Sequence, residues 1–170
     1  MSMTIKRALL YAARTPYGGT LAYLGLVKFR KLFPGNVIGE NKNALLLRHP
    51  AAADTGHLLL LPKRRIRDLP SLVSDPVTYN AMAALLWEHF DRSQQYICCN
   101  LGSRQEVNQV HIHVLKRHDG LKKSLPDQPF LLTNKQCYIR YEDFENTVLL
   151  KQALMEGMRA CPDALSVLWI

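Results

Sequence analysis

The stretch Gln109-Val110-His111-Ile112-His113-Val114-Leu115 alternates polar and apolar side chains more regularly than any other part of the chain. Side chains alternate across a β-strand. The pattern therefore predicts a strand over residues 109–115, with Gln109, His111, His113 and Leu115 on one face. Val110, Ile112 and Val114 fall on the other face and are expected in the core. Two imidazoles are then held one pleat repeat apart on a rigid element, a good way to fix a nucleophile beside its neighbour. Histidine is the side chain that can be neutral, and so nucleophilic, near pH 7. A neutral imidazole nitrogen can attack phosphorus and form a covalent phosphoramidate. The spacing alone leaves three readings open: two solvated histidines on a sheet face, a nucleophile with a supporting ring, or a zinc site completed by Cys98 or Cys99 on a neighbouring strand.

Working outward, residues 96–99 are expected as a strand, and residues 100–108 as a polar loop before the histidine strand. Asp75-Pro76 is a helix start, with Asp at the N-cap and Pro at N1. Met82, Leu85, Leu86 and Phe90 then mark one helical face. Upstream, residues 36–40 and 44–48 are expected as two strands joined at Asn41-Lys42-Asn43, a good hairpin turn. An apolar run over residues 57–61 ending at Pro62 is expected as a buried strand. Residues 21–32 suit a basic amphipathic helix, packed on the sheet rather than lying on a membrane. Downstream of a polar, proline-containing linker come a strand over 136–141, a helix over 142–159 and a last strand over 165–170. This order points to an α+β fold with an antiparallel sheet.

A chain of 170 residues suits one domain with an appended lobe. We expect an N-terminal extension over 1–23, a central domain over 24–117 and a C-terminal extension over 118–170 packed on the same domain. With 48% apolar and 21% charged residues, the composition is that of a globular protein. No apolar run is long enough to span a bilayer, and the start of the chain is too short in apolar residues for a signal peptide. Cys98, Cys99, Cys137 and Cys161 form no disulfide or CxxC framework and suit reduced thiols in a cytoplasmic protein. The net charge of +8 favours polyanionic partners such as nucleotides, with nucleic acid less favoured.

A longer match sharpens these readings. Phe33-Pro34-Gly35-Asn36-Val37-Ile38-Gly39-Glu40, then Thr55-Gly56-His57-Leu58-Leu59-Leu60-Leu61-Pro62-Lys63-Arg64-Arg65-Ile66, then Asn100-Leu101-Gly102-Ser103, then the histidine strand stand in the order seen in histidine triad proteins. The sequence resembles that superfamily over roughly residues 24–117. The resemblance implies a HIT-like antiparallel sheet of about five strands with two helices, here followed by a strand-helix-strand extension, and a homodimer. It implies nucleotide hydrolysis or nucleotidyl transfer through a nucleotidyl-histidine, with no cofactor or metal. Residue by residue, it places His111 as nucleophile, His113 as its support and His57 beside it. It also places Asn100 and Gln105 near the phosphates and His49 where many members hold the ribose with Asp. Gln109 stands where the first His of the triad is expected. Lys63, Lys116 and Arg117 are candidate cations for the transition state. A second register makes His113 the nucleophile.

The departures concern Gln109, which cannot carry a proton charge, Arg65 in place of a His, and a loop Arg104-Gln105-Glu106-Val107 without the family's glycines. The loop and strand from Ser103-Arg104-Gln105 through Asn108-Gln109-Val110-His111-Ile112-His113 also resemble those of CDP-diacylglycerol pyrophosphatase, a remote branch of the superfamily, and imply such a hydrolase as an alternative. Three functions follow for testing: a hydrolase or transferase acting on a nucleoside phosphate conjugate, a nucleotide-binding module without turnover, and a zinc protein.

Overall fold

The computed structural model describes residue 20 and residues 24–28, 36–49, 55–105, 107–118, 121 and 129–170. Of the residues expected as a basic N-terminal helix, Leu24–Lys28 form a short π-helical turn, and the remainder lies outside the described residues. The 1–23 extension lies almost wholly outside them too.

The hairpin forms where its turn residues place it. Strand β1 is Val37–Glu40 and β2 is Ala44–Arg48. The Asn41 side chain builds the turn: its Oδ1 accepts from the amides of Asn43 at 3.0 Å and Ala44 at 2.8 Å. Such local bonds are why Asn favours turns. β3, Leu58–Pro62, pairs with β2 and accounts for the apolar run. Asp68 caps a short helix α1, Leu69–Val73, that has too few turns to leave a periodic trace in the sequence. Asp75 and Pro76 open α2, Pro76–Trp87, as expected.

β4 spans Gln95–Gly102 and β5 spans Ile112–Lys116. Two expectations change here. Asn100, Leu101 and Gly102 extend β4 rather than open a loop, because Ser166, Leu165 and Ala164 pair with them. The residues 109–111 lie outside the β5 ladder, because the Val110 amide donates to the Ile66 carbonyl at 2.8 Å instead of to a neighbouring strand. The alternation of faces survives this change: Val110, Ile112 and Val114 are all buried in the main core.

The remaining strands are β6, Phe130–Thr133, β7, Gln136–Ile139, and β8, Ala164–Trp169. β6 falls in the segment expected to be a linker. Asn134 and Lys135, both at positive φ, make the tight turn that pairs it with β7. Helix α3 covers Thr147–Ala160, capped by Asn146, with a 3-10 turn over Tyr141–Asp143 where the expected helix began.

Among the described residues the sheet has eight strands, in the order β1-β2-β3-β5-β4-β8-β7-β6. The first five are antiparallel neighbours. β8 joins β4 antiparallel, but β7 and β8 run parallel, since α3 carries the chain back across the sheet. The fold is therefore α+β with a mixed sheet larger than the five strands expected. One face carries α1, α2 and α3 over a core that includes Leu60, Ile97, Ile112, Val114, Val167 and Trp169. The opposite face carries two smaller apolar clusters. Val27 covers Leu45, Leu47, Leu59 and Leu61 at one end, and Leu121 packs with Tyr138 and Leu168 at the other. A polar row of histidines separates them.

Candidate active site

His49 and His57 follow and precede β2 and β3, and the backbone bond from the His49 amide to the His57 carbonyl, 2.8 Å, continues that ladder. Their rings stack at 4.3 Å between centroids with 18° between planes. His113 stands on β5 opposite Leu59, so its ring emerges on the same face. Its Nδ1 lies 2.8 Å from His57 Nε2. His111 meets His113 edge to face, with centroids 4.7 Å apart. Four histidines distant in sequence thus form one row.

The electrostatics follow from burial and from like charges. Burial first, then the neighbouring His49 and His111, lowers the His57 pKa to about 4. Burial first, then His111, His57 and His49, lowers that of His113 to about 2. Both rings are neutral near pH 7, and within the pair one nitrogen donates and the other accepts.

His111 is oriented differently. Its Nδ1 lies 2.9 Å from the backbone carbonyl of Gln109. A carbonyl can only accept, so Nδ1 carries a proton, and in the neutral ring the lone pair is on Nε2. That tautomer can deliver Nε2 to an electrophile. It also lets the ring keep its Nδ1 proton, and the partner for it, after Nε2 has formed a bond.

The other candidates are placed as follows. Asn100 on β4 shares the histidine face: it is two residues from Cys98, which pairs with His113. Its Oδ1 accepts from Ser166 Oγ at 2.7 Å. Gln109 contributes its main chain to His111, whereas its side chain is 2% exposed and its Nε2 reaches the Arg64 carbonyl at 3.4 Å. Gln105 holds its own loop, donating to the carbonyls of Arg67 at 2.6 Å and Val107 at 2.9 Å. Lys63 is not brought to the row. It lies just beyond the far end of β3 and pairs with Glu40 at 2.8 Å. Arg117 donates to the Arg92 carbonyl and Tyr141 hydroxyl, away from the histidines.

Two residues gave no sequence signal. Arg104 Nη1 donates to Ser166 Oγ at 2.8 Å, and Ser166 stands opposite Asn100 on β8. Only the β4–β8 pairing brings them to the site. The cysteines are less suited to ionic chemistry: burial pushes the Cys98 thiol up to about 12 and the Cys99 thiol higher still. Among the described residues, no group of three or more His, Cys, Asp or Glu side chains is arranged to hold a metal ion. No described helix is long and apolar enough to cross a membrane.

Comparison with known proteins bears on this arrangement. No curated protein matches the sequence. Solved structures similar to the chain include a hypothetical protein from Leishmania major, 23% identical, covering 78% of this chain and 99% of that one with a TM-score of 0.46. Another is a HIT family hydrolase from Legionella pneumophila Philadelphia 1, 25% identical, covering 59% and 97% with a TM-score of 0.40. A third is a Zn-bound histidine triad family protein from Mycobacterium smegmatis, 28% identical, covering 78% and 96% with a TM-score of 0.38. The HIT domain model matches residues 30–120, which contain every histidine of the row. The chain belongs to the HIT family.

Proposed function

We propose that the protein is a nucleotide hydrolase or nucleotidyl transferase in which His111 forms a covalent nucleotidyl intermediate. The observation that carries this reading is the bond between His111 Nδ1 and the Gln109 carbonyl, because it puts the lone pair on Nε2. Nε2 attacks the α-phosphorus of a nucleoside phosphate conjugate, and the bond from phosphorus to the leaving group breaks. The resulting phosphorylated ring is cationic, and the Gln109 carbonyl accepts from its remaining N–H. Water then attacks phosphorus and the bond to Nε2 breaks. Nucleoside monophosphate departs, a proton goes to solvent, and His111 is regenerated.

In this scheme Gln109 acts through its main chain, so Gln in place of His at this position leaves the nucleophile's orientation intact. His57 and His113 are neutral partners that fix one another beside the nucleophile. His113 is the poorer nucleophile because its own Nδ1 faces His57 rather than a carbonyl.

Turnover of a panel of nucleotide conjugates by the wild type and His111→Ala tests the scheme, with mass spectrometry to detect a nucleotidyl adduct. The expected result is release of nucleoside monophosphate, with an adduct on His111, both lost in the variant. Nucleotide binding with neither release nor adduct would replace the scheme with a binding module that kept the fold.

A further inference from the structure

Transfer of a phosphoryl-type group places negative charge on the phosphate oxygens and the leaving group, and enzymes meet it with fixed cations. Within the histidine row, His57 and His113 supply little such charge, since burial holds both rings neutral. Lys63 is paired with Glu40 at the other end of β3, and Arg117 is directed to Tyr141. The loop after β4 has no glycines in Arg104-Gln105-Glu106-Val107 to wrap main-chain amides around an anion.

Arg104 is a cation that the tertiary structure delivers to this face. Its guanidinium donates to Ser166, which in turn donates to Asn100, so a continuous hydrogen-bonded chain runs from β8 to the strand beside His111. The positive charge of Arg104 also reaches the Cys98 thiol, where it opposes the effect of burial. Cys98 pairs with His113, which places that charge over the same row. A guanidinium has five N–H donors. Among the described residues, Ser166 takes one of them and no carboxylate pairs with the group. Ser166 is 5% exposed and lies in the middle of the β4–β8 ladder, so its hydroxyl is a fixed anchor.

We propose that Arg104, positioned by Ser166, binds a second anionic group of the substrate, on the leaving-group side of the phosphorus that His111 attacks. The distance selects that side group rather than the attacked phosphate. β8 is two strands from β5, about 10 Å at ordinary strand spacing. The substrates favoured are conjugates whose leaving group is itself a phosphate chain, over those whose leaving group is uncharged. The C-terminal strand-helix-strand thereby supplies part of the site through Ser166. The inference rests on His111 being the nucleophile, but its binding arm is measured separately.

The test compares full-length wild type, Arg104→Gln, Arg104→Lys, Ser166→Ala and the Arg104→Gln/Ser166→Ala double variant. Two substrates are used: adenosine 5′-phosphoramidate, with a neutral leaving group, and diadenosine tetraphosphate, with a phosphate chain. Arg104→Gln is expected to lower kcat/KM for the tetraphosphate about ten- to a hundredfold, several-fold more than for the phosphoramidate. Arg104→Lys recovers part of the loss. Ser166→Ala gives a smaller loss on the tetraphosphate, and the double variant is no worse than Arg104→Gln, because both act through one group. Circular dichroism and thermal melting of each variant serve as the control for folding. Equal losses on both substrates, or losses on neither, overturn the inference while leaving His111 as nucleophile. Calorimetric binding of inorganic tripolyphosphate reads the cation without turnover. Tenfold weaker binding in Arg104→Gln supports the anion site even if no conjugate is cleaved. Unchanged affinity, or no binding by the wild type, overturns it.

Discussion

Nε2 of His57 lies 2.8 Å from Nδ1 of His113, a bond that only neutral or singly protonated rings can make. If both rings were charged, N–H would face N–H across that distance. Burial and neighbouring histidines accordingly depress both pKa values, to about 4 for His57 and about 2 for His113.

This predicts a specific acid limb of stability. In the unfolded chain both histidines titrate near 6.5, and in the folded chain they resist protonation. The stability they contribute is full above pH 6.5 and is lost as the pH falls through about 4, and further toward 2. Each ring adds a slope of up to about 1.4 kcal/mol per pH unit, less for His57 because solvent screens it. Urea unfolding between pH 7 and pH 4 checks this. A His113→Asn variant should show a shallower slope, and an identical slope would refute the depression.

The same pair predicts a kinetic split. His57→Asn removes the ring that orients His113 but leaves the carbonyl that orients His111. Turnover should fall roughly 10- to 100-fold, with the adduct on His111 still detectable by rapid quench. Loss of the adduct itself would make His57 indispensable to the covalent step.

Asn41 predicts a large effect from an unassuming turn residue. Besides the two amides it accepts in the hairpin, its Nδ2 donates to the Ala81 carbonyl on α2 at 2.7 Å. One side chain therefore ties the β1–β2 turn to the helix layer. Asn41→Ala should cost about 1–3 kcal/mol in chemical denaturation, since partly buried polar groups lose their partners. A change below 0.5 kcal/mol, about the scatter of ordinary surface substitutions, would show that water replaces these bonds.

Two glycines with similar dihedral angles should behave differently. Gly56 has φ of 72° and no atom of the described residues within 4 Å of an added Cβ, so Gly56→Ala should cost only the left-handed penalty, about 1–2 kcal/mol. Gly102 has φ of 62°, and an added Cβ would collide with the Asp163 carbonyl oxygen. That oxygen belongs to backbone at the start of β8 and cannot swing away. Gly102→Ala should therefore destabilise by distinctly more than Gly56→Ala, measured as a difference in melting temperature, and should disturb Arg104 two residues on.

Much of the fold was written locally. The Asn41-Lys42-Asn43 turn, the Asp75-Pro76 helix start and the polar–apolar alternation around His111 each carry their own signal over a few residues. They are enough for an α+β domain and for a histidine pair on a sheet face. Strand β6 was not legible because its identity rests on pairing with β7, not on composition. The extension of β4 through Asn100 to Gly102 was not legible either, since the strand that completes it lies more than sixty residues downstream.

The site divides along the same line. Alternation along one strand placed His111 and His113 on one face, and the ordered motifs around it added His57, whose ring the structure brings to His113. Their charge state was a tertiary matter, because it depends on how deeply four rings are buried together. So was the choice of cation: Lys63 looked as plausible as any basic residue, yet β3 carries it away from the histidines to Glu40. Arg104 is brought to the neighbouring strand because β8 presents Ser166 beside Asn100. The sequence by itself determined which histidines share one strand face, because residue type and strand periodicity are local properties. Only the tertiary structure decided which charges stand beside them, because strand order brings together residues that no local rule connects.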